Sequence, residues 1–549
     1  MTARTRLITV GLVGATLAAA CSGGSSKAGS SSQTTATTVA GAPTTTSTTT
    51  TPGVSGRVSA AGTPDPNGVL RFGVDFSNVF TANSFDPAGS FNSCDKIDEG
   101  LIYDTLTQLS PAGQLEPGLA KSWDFTPGGT SLTIHLRPNV TFSDGTPVDA
   151  TAVKASILHL KTSPLRTSLA VITNITVVDP LTLTISLDPK DPTPADLLYA
   201  WNDLDGMVIA PSGIANAATH PVGSGPYTLV SASNSKIVLK KNPNYWNAAA
   251  YQPAEIDFIS VGTGPPSVAA LKAGAIDMTQ FDPESLPVVK PDPSLGYNVR
   301  PSHEYLTIEF RLDTPPVNNP LVRQAINYAV DRNEINNVVL GGTGVVTDET
   351  FAPDQPVAFN PSVANEYLPY DPAKARQLLA QAGYPNGITF SLVIPGGITL
   401  AEREAPLLQN EMARAGITMK IVSVDPSQLL VSFYLHKAND AIALPYPAEE
   451  EYARELYDKY GALGYTSKLT GSVRPELESL LIQGQGTLDP ATLTPLMQQA
   501  SKLTTDEALE VPIAFEAQML AWNLSKIGGD PNAGSDPCRP DFSGFFVKK

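Results

Sequence analysis

Five histidines (His135, His159, His220, His303 and His436) and three cysteines are the side chains best suited to hold a metal or attack a carbonyl carbon. Their spacing decides whether they can. Zinc sites want ligands a helical turn or a short loop apart, and no two of these histidines stand so. "HEYLT" (303–307) begins like the H-E-x-x-H of zinc peptidases but has Thr307 where the second histidine belongs. Ser233-x-x-Lys236 has the spacing at which a lysine can take a serine proton, but it falls in a strand-like stretch without partner motifs. No G-x-S-x-G and no phosphate loop occurs. The expectation is a protein that performs no bond chemistry and needs no cofactor or metal, with a secreted hydrolase as the weaker alternative.

One cysteine does suggest chemistry. Cys21 sits in "ATLAAACSGGSSKAGSSS" (15–32), where an apolar run gives way to serine and glycine. Arg4 and Arg6 precede an unbroken apolar or small stretch from Leu7 to Ala20, the layout of a secretory signal over residues 1–20. That run would rise only about 21 Å as a helix, short of the ~30 Å hydrocarbon core, so it is not read as a permanent span. Ala-Ala-Ala-Cys resembles a lipobox, with Ala18 where leucine is usual. Cys21 is therefore expected to be lipidated, become the mature N-terminus and hold the exported protein on the outer face of the membrane. An incidental cysteine beside an ordinary cleavage site is the alternative. Residues 21–68 contain almost no large apolar side chains and include "TTTSTTTTP" (44–52), a composition that cannot bury a core. A flexible chain of that length spans roughly 35–40 Å, enough for a tether.

The rest of the chain, from Val69 on, belongs to a sequence that is 42% hydrophobic and 16% charged, enough for two or three domains with real cores. The formal charge of −17 grows by two more negative charges if Arg4 and Arg6 leave with the signal, and no basic cluster interrupts it. Nucleic acid is excluded as a partner. Export makes a disulfide the expected state of Cys94 and Cys538, with buried free thiols as the alternative.

The elements that must position any site are mixed α/β. "VLRFGV" (69–74) is strand-like, and Leu132, Ile134 and Leu136 alternate with Thr133, His135 and Arg137, a half-buried strand expected in a hairpin turned by Asp144-Gly145. From Pro320 the period becomes helical, with Leu321, Val322, Ala325, Ile326, Ala329 and Val330 on one face and Gly341 as the stop. Asp371-Pro372 opens another helix that Gly383 ends. "ITFSLVI" (388–394) and "ITMKIVS" (417–423) flank an apolar-faced helix over 401–415, in which Pro406 implies a late start or a kink.

"LEPGLAKSWDFTPGGTSLTIHLRPNVTFSDGTPVDATAVKAS" (115–156), "GSGPYTLVSASNSKIVLKKNPNYW" (223–246), "ALKAGAIDM" (270–278), "PPVNNPLVRQAINYAVDRNEI" (315–335) and "YDPAKARQLLAQAGYPNG" (370–387) occur in register. Together they resemble the family 5 bacterial solute-binding proteins, the oligopeptide, dipeptide and nickel receptors of ATP-binding-cassette importers. The resemblance implies an α/β, two-lobed periplasmic-binding-protein fold of the large type II kind. Lobe I would comprise 69–111, 211–299 and 515–549, with an inserted subdomain at 112–210, and lobe II would be 300–514. Cys94 and Cys538 would then share lobe I. The implied function is a monomeric receptor that closes on a peptide or other small solute and delivers it to a membrane permease; a cell-envelope protein that keeps the fold without transport is the alternative.

The family's cleft implies Phe91 and Asn92 in "SFDPAGSFNS" (84–93), together with Tyr305, Arg311 and Tyr446, as ligand contacts. Arg311 stands where the family often has asparagine and could receive an anionic group bidentately, a surface arginine being the alternative. Peptide-binding members usually carry an aspartate before the tyrosine equivalent to Tyr446, and this chain has Pro445 there, with Glu449 or Glu450 as substitutes. A preference for neutral or anionic solutes over peptides with a free amino terminus is expected. Other blocks are read as scaffold: Gly223 and Gly225 for a tight backbone crossing, Tyr245 and Trp246 for closing a core, and Arg323 for a solvated or structural network.

Overall fold

The computed structural model describes residues 55–58, 61–76, 84–90, 97–109, 115–126, 129–163, 165–189, 194–262, 264–396, 399–425, 428–429, 431–447, 452–462, 465–531 and 540–549. Two long antiparallel strands, Leu295–Phe310 and Glu510–Asn523, run side by side through the centre of a 12-stranded sheet. On one side follow Ala441–Pro447, Ile388–Pro395 and Ile417–Val424. On the other lie Met278–Gln280, Val69–Val74, Glu255–Ser260, Lys236–Lys241 and Tyr227–Ser233.

Each central strand serves more than one core. Leu295, Tyr297 and Val299 pack with Met519 and Ala521 beneath the helix Pro265–Lys272. From Tyr305 onward, Leu306, Ile308 and Phe310 join Val511, Ile513 and Phe515 in a separate core built on the helices of residues 320–500. The cores change between Val299 and Tyr305 on one strand and between Phe515 and Ala517 on the other. A third group of apolar residues joins Leu70, Phe72, Leu520 and Trp522 to a four-stranded sheet of Ala120–Phe125, Ser131–Leu136, Thr182–Leu187 and Ile172–Asp179.

Local chemistry accounts for most elements. Asn319 accepts from the Leu321 amide at 3.0 Å with Pro320 in the first turn, and Asp371 does the same for Ala373 and Lys374. The single helix expected from Pro320 to Gly341 is two helices, Pro320–Tyr328 and Arg332–Val339, because Asp331 caps a new start by accepting from Glu334. Pro406 sits within a helix that runs Thr399–Arg414. Ser131–Leu136 is also not half of the expected hairpin. Gly145, at φ +85°, turns a short loop closed by a single Thr141–Pro147 bridge, and the strand pairs instead with Ala120–Phe125 and Thr182–Leu187.

The scaffold blocks have specific jobs. A Cβ on Gly223 would lie 2.1 Å from the Ile102 carbonyl oxygen, so only glycine allows that crossing. Trp246 Nε1 donates to Asp104 at 2.8 Å and the Tyr245 hydroxyl at 3.3 Å, joining residue 104 to residues 245 and 246 around a buried carboxyl. Arg323 is fully buried and gives its protons to the carbonyls of Ala508, Glu507, Val317 and Asn318.

Ser55–Arg57, inside the stretch expected to be linker, is a strand on Tyr297–Val299. Gly56 lets the strand lie close over Asn298, and Arg57 donates to the carbonyls of Lys290, Asp292 and Leu295. The structured chain therefore starts well before Val69.

Candidate functional site

Between the two cores the central strands turn polar. One carries Arg300, Ser302, His303 and Glu304 inside "LGYNVRPSHEYLTIEF"; the other carries Glu516 and Gln518 inside "EVPIAFEAQMLAWN". Arg300 pairs with Gln518 and Pro301 with Ala517, the register then shifts, and Tyr305 faces Phe515. An extra stretch of backbone at that point bends the strand between the lobes.

Arg300 and His303 are half-buried, and His303 bonds Asp354 at 3.1 Å; Ser302, Glu304, Glu516 and Gln518 are buried. Gln518 is 0% exposed and Glu516 4%. Among the described residues neither heteroatom of the Gln518 amide has a hydrogen-bond partner, and the same holds for Glu516 Oε1 and Arg300 Nε. Burial, with the charge of Asp282, pushes the Glu516 carboxyl up to about 8. Burial beside Glu284 raises Asp282 to about 6, and burial near Glu516 and Glu411 raises Glu404 to about 8. Carboxyls thus line the junction from the Asp282 side, through the strand, to the helix Thr399–Arg414. Among the described residues no group of three histidine, cysteine or acidic side chains is placed to hold a metal. The arrangement can recognise a polar solute by hydrogen bonds and charge. The lobes also meet away from the strands, where the helix Pro475–Gln485 packs on Pro194–Ala200.

The structure brings Tyr305 and Tyr446 together, opposite each other on paired strands with ring centres 6.3 Å apart. Tyr305 is fully buried. Its hydroxyl accepts from Lys459 Nζ at 2.8 Å and donates to Glu510 at 3.1 Å, and Thr350 donates to the same carboxylate at 2.6 Å. Burial opposes the Lys459 charge, but Glu510, Glu455 and Glu309 outweigh it and raise its pKa.

Arg311 is not with them. It lies just past the strand end, six residues beyond Tyr305 or about 20 Å along an extended chain. Its guanidinium is held by the Lys437 carbonyl, by Asp313 at 2.9 Å and by Thr314 at 2.7 Å. These are the bonds of an arginine that braces a turn.

Cys21, Phe91, Asn92, Cys94, Glu449, Glu450 and Cys538 lie outside the described residues. The neighbouring loop Ser84–Ser90 is pinned: Asp86 bonds His159 Nε2 at 2.9 Å, Ser90 donates to Glu99, and Arg166 donates to the Ser90 carbonyl. Sequence reasoning missed Arg300 and Gln518. Their signal is a polar interruption at matching depth in two otherwise apolar strands.

The model of the bacterial extracellular solute-binding proteins, family 5 Middle, matches residues 114–462. The glutathione-binding protein GsiB of Shigella flexneri serotype 5b is 25% identical over 485 residues, covering 82% of this chain and 91% of that protein. Among solved structures, the binding protein AgaA of A. tumefaciens R10, in complex with agropinic acid, superposes with a TM-score of 0.74 at 23% identity, over 88% of this chain and 99% of that one. DppA of Helicobacter pylori, in complex with the peptide STSA, gives a TM-score of 0.71 at 23% identity, over 88% and 98%. At these identities the two structures speak to the fold, a two-lobed periplasmic-binding-protein fold of type II.

Proposed function

The chain belongs to the bacterial extracellular solute-binding proteins of family 5, and on that premise we propose that the polar belt at Arg300–Glu304 and Glu516–Gln518 forms the floor of its solute cleft. A protein of this family captures a solute between two lobes and delivers it to an ATP-binding-cassette importer. The observation that carries the cleft assignment is the break between two apolar cores at a place where buried polar atoms have no partners among the described residues. Closing and opening would bend the central strands there, and a solute that touches both lobes shifts the balance toward the closed form.

The solute is a small organic acid or a short peptide-like molecule, in keeping with what GsiB, AgaA and DppA are named for binding. Neutral or anionic solutes are favoured over peptides with a free amino terminus. Pro445 supplies no carboxylate, and the Lys459 ammonium already occupies one face of Tyr446. Phe91, Asn92 and Tyr446 remain proposed contacts. Cys21 carries the lipid anchor, the linker is the tether, Cys94 and Cys538 are bonded, and the receptor is monomeric and performs no bond chemistry.

Purified protein that still holds its native solute should release a small molecule on denaturation, identifiable by mass spectrometry. The emptied protein should regain thermal stability when that molecule is returned, by about 2.7 kcal/mol at a hundred times the dissociation constant. Absence of any released solute, together with unchanged melting in extracts of the growth medium, would remove the cleft reading.

A further inference from the structure

We infer that Arg300 and Gln518 together form a carboxylate-binding subsite at the junction of the lobes, so that the captured solute carries a carboxylate. The inference rests on reading that junction as the cleft and goes further by naming the group recognised.

Arg300 and Gln518 are register partners in an antiparallel pair, so their side chains leave the same face of the sheet a short distance apart. Along that face the preceding pairs are Gly296 with Trp522 and Asn298 with Leu520. Trp522 and Leu520 lie in an apolar core, and Asn298 gives its amide to the Pro531 carbonyl at 2.6 Å. Arg300 and Gln518 are thus the first pair past the end of that core, where the face reaches the other lobe.

Both side chains lack the partners that comparable groups have elsewhere. Arg71, Arg166 and Arg311 pair with carboxylates, Arg323 is held by backbone carbonyls, and Arg332 by backbone carbonyls and the Asn327 side-chain oxygen. Arg300 is half-buried and makes no side-chain hydrogen bond or ion pair with the described residues, although the chain has 53 acidic residues against 36 basic ones. Gln518, fully buried, leaves both the donor and the acceptor of its amide unused. Native folds seldom tolerate a buried amide without partners, and a partner that comes and goes accounts for this one. Glu516 lies two residues away, but burial holds its carboxyl toward the neutral form, so it does not neutralise the guanidinium.

The donor set selects the ligand group. A guanidinium offers a planar fork that matches the two oxygens of a carboxylate, and the Gln518 amide adds a further N–H. A cation would be repelled by Arg300, and an apolar group would leave the buried polar atoms unpaired. Gln518 Oε1 remains free to accept from an N–H or O–H beside the carboxylate, which suits an amido or hydroxy acid.

The test uses the full chain with its native solute. Wild type, Arg300→Lys, Arg300→Ala and Gln518→Leu are purified alike, and the released solutes are identified by mass spectrometry and rebound to emptied protein. The expected solute carries a carboxylate. Arg300→Ala should bind it about 10- to 100-fold more weakly, Arg300→Lys should recover part of that loss, and Gln518→Leu should weaken binding several-fold while the emptied protein melts as wild type does. Methylamidation of the solute's carboxyls should abolish rebinding. A released solute without an acidic group, or rebinding that survives methylamidation or Arg300→Ala, overturns the subsite and leaves the receptor reading standing. If wild type releases no solute at all, both fall.

Discussion

The ammonium nitrogen of Lys459 lies 3.8 Å from the centre of the Tyr446 ring. The same nitrogen bonds the Tyr305 hydroxyl and sits 3.2 Å from Glu510 and 3.6 Å from Glu455, all in a region closed to solvent. One cation therefore balances several buried carboxylates. Lys459→Met should destabilise the protein by about 3–5 kcal/mol, because the acids it leaves behind lose their counter-charge. The loss should be larger at pH 8 than at pH 5.5, because Glu309, which also faces Lys459 and is pushed up to about 7 by burial, is charged at the higher pH and neutral at the lower. Urea titrations at the two pH values measure it, and an equal loss at both would contradict the argument.

Stability should fall as pH rises toward 8. Burial pushes Asp104 and Glu309 up to about 7, and Glu349, Glu404, Glu411 and Glu516 up to about 8. Between the ordinary carboxylate range, near about 4, and these raised values, the folded state binds more protons than the unfolded one. Each group's stabilising contribution is complete below its unfolded pKa and is lost as pH passes through the folded value. The melting temperature should therefore be higher at pH 5.5 than at pH 8, and Glu404→Gln should flatten the slope. Calorimetry showing a maximum at pH 8 would count against the buried, protonated carboxyls.

Arg311→Ala should affect stability and leave solute affinity alone. The substitution removes bonds to the Lys437 carbonyl, Asp313 and Thr314 from a side chain that is largely buried, a loss of about 1–3 kcal/mol. Titration of the native solute into the variant should give a dissociation constant within twofold of wild type. A tenfold weakening would restore Arg311 as a ligand contact.

Arg57→Ala should release the first strand. Its guanidinium ties residue 57 to carbonyls at 290, 292 and 295, and without it the edge pairing of three residues has little else to hold it. Amides of Ser55–Arg57 should exchange at least tenfold faster in the variant, while those of Val69–Val74 are unchanged. Slow exchange in the variant would show that backbone pairing suffices.

Cys21→Ala should move the protein from the membrane fraction to the medium, since no helix among the described residues is long and apolar enough to cross a membrane. Detergent partitioning identical to wild type would exclude lipidation as the anchor.

The fold was legible because its signals are local and repeated. Asn319-Pro320 and Asp371-Pro372 start helices by short-range hydrogen bonds that a sequence displays directly. The restart at Asp331 was missed because the apolar face continues across it, and only the cap on Glu334 divides it. The site was harder for the same reason. Arg300 and Gln518 are 218 positions apart, and nothing short of the strand register makes them neighbours. Arg311 and Arg300 look alike in the sequence. What separates them is that Arg311 has side-chain acceptors at Asp313 and Thr314, two and three residues on, and Arg300 has none among the described residues.

The strand Glu510–Asn523 also dictates the order in which the molecule can be finished. It lines the apolar cores on both sides of the junction and lies between Met278–Gln280 and Leu295–Phe310. A growing chain that has reached residue 507 has made every described helix of the second lobe, yet one of the two central strands of its main sheet is still missing. Neither lobe can close before the last segment arrives, and such long-range pairing is slow and leaves apolar surface exposed meanwhile. The nascent polypeptide thus stays unfinished through nearly all of its synthesis, its main sheet completed only when the final strand inserts.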